Sequence, residues 1–146
     1  MNNGTDRLIV FSLAGSKYAL YLRHVAEVVE LPRIFPMPHA PLYFHGIMNF
    51  HGSLVSLLDL GHFLVNAPRN PQGKVLVLDT AIANLALWVD GVENVGSADV
   101  ILEECESDEN LVEKVLVMAD GEVRLLSVER LLDQLEETFA ISSAGV

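Results

Sequence analysis

Leu8-Ile9-Val10-Phe11 and Tyr18-Ala19-Leu20-Tyr21-Leu22 are answered 67 positions later by Val75-Leu76-Val77-Leu78 and Leu85-Ala86-Leu87-Trp88-Val89. Val25 and Val28 fall over Val92 and Val95 at the same offset. Farther on, Val55-Ser56-Leu57-Leu58 lies over Val123-Arg124-Leu125-Leu126, and Phe63-Leu64 over Leu131-Leu132, at an offset of 68. One such match is what any two β-hairpins would give. Two in the same order, at nearly the same offset, indicate a duplicated unit. The slip of one is expected near Gly52 and Gly121.

Each copy reads as about five short strands. In the first, two apolar runs flank Ala14-Gly15-Ser16, a hairpin signature. Val25 to Leu31 supplies a third strand, closed by Pro32. Pro32, Pro36, Pro38 and Pro41 then prevent regular structure, so an ordered extended loop is expected. His45 to Phe50 and Ser53 to Leu60 flank His51-Gly52, and Leu60 to Val65 adds a helical turn. In the second copy Asp120-Gly121 separates the apolar runs 111–119 and 122–127. Val128, Leu131, Leu132 and Leu135 have the spacing of a short amphipathic helix over Val128 to Glu137, followed by a frayed tail from Ile141 to Val146.

An open five-stranded sheet leaves two edges that template aggregation, and curling it into a small barrel removes most of that edge. The expected fold is therefore mainly β. It has two five-stranded SH3-like β-barrel subdomains, related by internal duplication, and a short C-terminal helix. Residues 1–146 make a single domain, with copy one about 7–65, a turn-rich connector about 66–73 and copy two about 74–137. A binding groove is expected where the copies meet. Tyr21 and Trp88, at equivalent positions, read as core.

The 146 residues are 51% apolar, which excludes disorder for most of the chain. Apolar runs are too short for a membrane-spanning helix, and Met1 to Asp6 does not read as a signal peptide. Cys105 is the one cysteine, which fits a reducing compartment and a cytoplasmic location. Twenty acidic residues against nine basic ones argue against nucleic acid. The charge is uneven: residues 1–70 carry five bases and four acids, residues 71–146 four bases and sixteen acids. Seven of those acids lie between Asp99 and Glu113 with no base among them, and read as a solvated loop.

In ordered positions and spacing the chain resembles the CheW-like adaptors of bacterial chemotaxis over about residues 7–137. The carrying segments are Phe11-Ser12-Leu13, Tyr18-Ala19-Leu20, Val25-Ala26-Glu27-Val28, Pro38-His39-Ala40-Pro41, Gly46-Ile47-Met48-Asn49-Phe50-His51-Gly52, Val55 to Leu60, and Trp88-Val89-Asp90-Gly91-Val92. The resemblance implies a non-enzymatic adaptor without cofactor or metal. It would couple a chemoreceptor cytoplasmic tip to the regulatory domain of a CheA-type histidine kinase, with no insertion into the membrane. It places Val25, Glu27, Val28, Asn49 and His51 in a receptor-binding groove, with His51 where the family's loop carries arginine. Leu42, Phe44 and Phe50, around the proline-rich loop, are candidates for an apolar partner surface.

Two other readings compete. One is a free-standing scaffold or decoy that keeps a single partner interface. The other is a small metal-dependent enzyme using His39, His45 and His51, spaced six and six, with His24 and His62 outside. Six residues cover about 20 Å of one strand, so those side chains meet only if a turn brings them together. Cys105 is a poor nucleophile candidate, because its acidic surroundings raise a thiol pKa.

Overall fold

The computed structural model describes residues 7–97 and 100–144. Strands β1 (Arg7–Leu13) and β2 (Ser16–Tyr21) form the first hairpin. Ala14 and Gly15 make its turn with φ of 51° and 84°, the positive pair whose twist matches that of the flanking strands. A 3-10 turn at Leu22–His24 leads to β3 (Val25–Glu30). The proline-rich loop crosses to β4 (Phe44–Phe50), which pairs with β5 (Ser53–Asp59), and α1 (Leu60–Val65) follows. The second half runs β6 (Lys74–Leu78), β7 (Leu85–Val89), β8 (Gly91–Ser97), β9 (Glu103–Cys105), β10 (Val112–Met118), β11 (Gly121–Leu126) and α2 (Val128–Ala144).

Two sheets result, and they do not follow the copies. One has the order β8-β1-β2-β11-β10-β9, the other β3-β6-β7-β5-β4. The first hairpin of each half leaves its own half: β1–β2 joins four strands of the second half, and β6–β7 joins three of the first. Exchanging each strand for its counterpart turns the five-stranded order into β8-β1-β2-β11-β10, so the duplication is real and its products are interleaved. The sequence patterns could not reveal this, since a hairpin has the same alternation whichever sheet receives it.

The register makes the repeat exact. The ladder between β1 and β8 shifts at Glu93, and that between β3 and β6 at Ala26, 67 residues earlier. The β10–β11 ladder shifts at Glu113, and the β4–β5 ladder at His45, 68 residues earlier. The change of offset therefore falls between the third and fourth strands of each half, not near Gly52 and Gly121. The second turn itself is Ala119-Asp120, with Gly121 opening β11.

Strand alternation sorts the apolar residues into three cores. Met48, Val55, Leu57, Val75, Val77, Ala86 and Trp88 fill the five-stranded unit. Their counterparts Leu116, Val123, Leu125, Leu8, Val10, Ala19 and the partly buried Tyr21 fill the six-stranded one. The opposite faces of the strands, with Phe11, Leu20, Leu58, Leu78, Leu87 and the helix residues Leu131 and Leu135, form the largest core between the two sheets. The central strands are thus buried on both faces, which is why β6 and β7 read as continuous apolar runs.

Two expectations are corrected. The six-stranded sheet gains β9, a short edge strand in the acidic run expected to be a loop. It pairs with β10, and Glu104 and Glu109 meet Lys114 and Arg124 at 2.7 and 2.8 Å. Asp99 lies outside the described residues. Next, α2 continues past Glu137 through Ala144, and only Gly145 and Val146 of the expected tail fall outside the description. The proline-rich loop is ordered as expected: Phe35 exchanges two backbone bonds of 2.8 Å with Ile47, covering the outer edge of β4. Gly46 permits this approach, because a Cβ there would strike the Phe35 carbonyl.

Helix starts repeat as well. Asp59 is 4% exposed, accepts the His62 N–H at the start of α1, and takes Arg69 Nε at 3.1 Å. Its counterpart Ser127 accepts the Arg130 N–H at the start of α2.

Candidate partner-binding site

Strand β3 is one end of the five-stranded sheet and β4 the other, with no ladder between them. The sheet curls until the β4–β5 turn reaches β3. That turn is His51-Gly52, with φ of 51° and 87°, and Asn49 Oδ1 accepts the Gly52 N–H at 2.9 Å. Held this way, His51 Nε2 lies 3.2 Å from Glu27 Oε1. The Phe50 ring lies 4.3 Å from the imidazole, centroid to centroid. Both members of the pair face solvent, with side chains 72% and 48% exposed.

Of the five expected groove residues, the structure brings Glu27, Asn49 and His51 together. Val28 follows Glu27 along the strand and therefore points to the other face, where it is 39% exposed. Val25 packs partly buried against the central core. The Leu42, Phe44 and Phe50 surface does not form. Phe44 is 7% exposed and belongs to the central core, and Phe50 packs on the five-stranded core. Leu42 alone stands out, 80% exposed, its carbonyl accepting a 3.2 Å bond from Arg69 Nη2.

A cleft of about 580 Å³ does lie where the units meet, between α2 and the five-stranded sheet, lined by Phe44, Ile82, Ala83, Leu85, Leu132 and Leu135 among others. None of the five expected groove residues lines it.

The histidines disperse. His24 packs edge-on against Tyr21, and His45 lies 4.8 Å from the Trp88 ring. His51 holds Glu27, while His39 sits in the proline-rich loop. Among the described residues no three His, Cys, Asp or Glu side chains form a group able to hold a metal ion. Burial pushes the pKa of His45 down, with Arg69 adding to the effect and Asp59 opposing it. Burial and Arg23 likewise push His24 down, against Glu113. The Cys105 thiol is pushed up by burial and by Glu103.

Sequence reading missed the equivalent of the Glu27–His51 contact in the six-stranded unit. Lys17 Nζ lies 3.1 Å from Asp120 in the β10–β11 turn and 3.4 Å from Glu93 on β8. Lys17 is 103 residues from Asp120, and only the interleaved topology brings them together.

The model of the CheW-like domain matches residues 7–136. The chain belongs to the CheW-like family. It is similar to the probable chemotaxis protein CheW of Rhizobium etli, 24% identical over 148 residues that cover 96% of each chain. It is also similar to the chemotaxis protein CheW of Rhizobium meliloti, 25% identical over 97 residues, 65% of this chain and 63% of that one. Among solved structures it resembles the scaffolding protein TtCheW from Thermoanaerobacter tengcongensis, with a TM-score of 0.72 and 24% identity over 85% of this chain and 90% of the other. That likeness shows the CheW-like fold. The CheW-like family to which it belongs is one of chemotaxis scaffold proteins and not of enzymes. Among the described residues, no helix of this CheW-like chain is long and apolar enough to cross a membrane.

Proposed function

We propose that the protein is a cytoplasmic adaptor of a bacterial chemosensory system. It couples a chemoreceptor cytoplasmic tip to a CheA-type histidine kinase through protein contacts alone. The observation that carries this reading is the pairing of two equivalent units with unlike surfaces around one shared core. Such a body offers two different docking ends at a fixed separation, which is what a coupler needs. The receptor side is assigned to Glu27, Asn49 and His51. Charge sets partner choice and encounter rate more than final affinity.

Calorimetry with the kinase regulatory domain and with a soluble receptor-tip fragment tests the reading. Both are expected to bind. Absence of kinase-domain binding at tens of micromolar protein would overturn the coupling role. Binding to one partner alone would favour the single-interface scaffold.

A further inference from the structure

The repeat gives each unit a cleft between its sheet and a helix, and the two clefts differ in what fills them. Beside α1, a cleft of about 190 Å³ is lined by Tyr18, Leu64 and Val112 among others. The cleft of about 580 Å³ beside α2 is its counterpart. Leu85 stands there for Tyr18, Leu132 for Leu64 and Phe44 for Val112, at the offsets of the repeat.

One exchange between the copies changes the chemistry of this place. Arg124 is opposite Tyr18 in the parallel β11–β2 ladder, and Ser56 is opposite Leu85 in the equivalent β5–β7 ladder. Val123 and Leu125 point into the core of the six-stranded unit, and Val55 and Leu57 into that of the five-stranded one. Arg124 and Ser56 therefore point the other way, toward the helix side. Arg124 brings a long apolar stem to that face, and its Nε meets Glu109, which lines the small cleft, at 2.8 Å. Ser56 brings no stem, and the counterpart of Glu109 is Pro41. The large cleft thus lacks the cation of its twin but has an acid of its own. Glu136 of α2 is the one charged residue that lines it among the described residues. Helix α1 ends at Val65, so the turn of α2 that carries Leu135 and Glu136 has no helical counterpart.

We propose that the large cleft docks an arginine-bearing apolar segment of a partner protein. The arginine stem takes the volume that Arg124 fills in the other unit, and its guanidinium meets Glu136. Flanking apolar side chains cover Leu54 and Ile82, which stand 67% and 38% exposed at the edge. Leu54 is two residues before Ser56 on β5 and shares its face. Phe44, Leu85 and Leu135 belong to the central core, so the cleft is formed in advance and binding orders chiefly the incoming segment. A formal charge of −11 also draws basic segments toward the molecule and repels acidic ones. The site is separate from the surface around Glu27 and His51, and the inference does not rest on the receptor or kinase assignment.

The probe is the capped peptide acetyl-Leu-Arg-Leu-Leu-Arg-Leu-amide, titrated into the whole protein at physiological ionic strength. Amide chemical shifts report where it binds, and the titration gives Kd. Shifts should centre on residues 54–56, 82–85 and 132–136. The same peptide with glutamate for arginine should bind more weakly. Ser56→Arg installs the residue of the other unit and should weaken binding about ten-fold or more. Glu136→Gln removes one exposed ion pair and should weaken it about two- to five-fold. Ile82→Ser, at an exposed rim position, should also weaken it and serves if Ser56→Arg does not fold. No binding at millimolar peptide overturns the proposal. So do shifts centred on the acidic residues 103–109, which would mark charge attraction alone. Equal affinity for the glutamate peptide, or unchanged affinity in a folded Ser56→Arg or in Ile82→Ser, overturns it as well.

Discussion

The five-stranded and six-stranded units share strand order, bulges, core positions and helix starts, yet they differ in charge. Residues 22–90, which hold β3 to β7 and α1, carry four basic and five acidic residues. Residues 7–21 and 91–144, which hold the other sheet and α2, carry five basic and fourteen acidic. The imbalance seen along the sequence therefore survives the exchange of hairpins and becomes a polarity between two three-dimensional units. Duplication has preserved the interior, where each position is constrained by both sheets. It has left the surface free to diverge, and there the two ends acquired different ties and different fields.

The largest effect comes from breaking the interleaving itself. A chain cut between Asn70 and Pro71 separates each hairpin from the strands it completes. Each half alone should lack cooperative unfolding by circular dichroism, and mixing the two should restore it. A half that folds alone would mean that hairpin and strands can pair within one copy.

A smaller effect separates the two helix starts. Asp59→Ala removes the α1 cap together with a buried partner of Arg69, and should cost about 2–3 kcal/mol. Ser127→Ala removes only the α2 cap, at about 1 kcal/mol. Chemical denaturation distinguishes them, and equal losses would show that the Arg69 contact adds nothing.

The smallest effect is one of pH. His45 and His24 bind protons less readily in the folded protein than in the unfolded chain. Stability is thus complete above about pH 6.5 and declines as pH falls through their lowered values. His45 is a bulge residue whose counterpart is Glu113, so this sensitivity is particular to the five-stranded unit. Thermal unfolding should show a lower Tm at pH 5.5 than at pH 7.5, on the order of 1–3 °C. His45→Asn should reduce the difference, and an unchanged difference would exclude this residue as its source.

The strands, the duplication and the core were legible in the sequence because all three rest on local alternation. Leu85 to Val89 was read with its observed bounds. What could not be read were relations across the chain. The exchange of hairpins leaves no trace in periodicity. Strand β9 was hidden because its solvent-facing acids look the same in a loop as on an edge. At the candidate site, Glu27 and His51 were named separately, and only the curl of the sheet shows that they touch. Phe44 was misjudged because its place beside a proline-rich loop gave no sign that its ring turns inward.

The interleaved sheets also bear on how the protein is made. Strand β2 borders β11, whose first residue is synthesised one hundred residues after the end of β2. At typical translation rates of about 5–20 residues per second, the first hairpin waits roughly 5–20 s for that neighbour. The hairpin carries Leu8, Val10 and Phe11 on its two faces, all buried in the finished molecule. On the ribosome it is a sticky, half-built edge, and the cell must shield it until the last strand of the second half emerges.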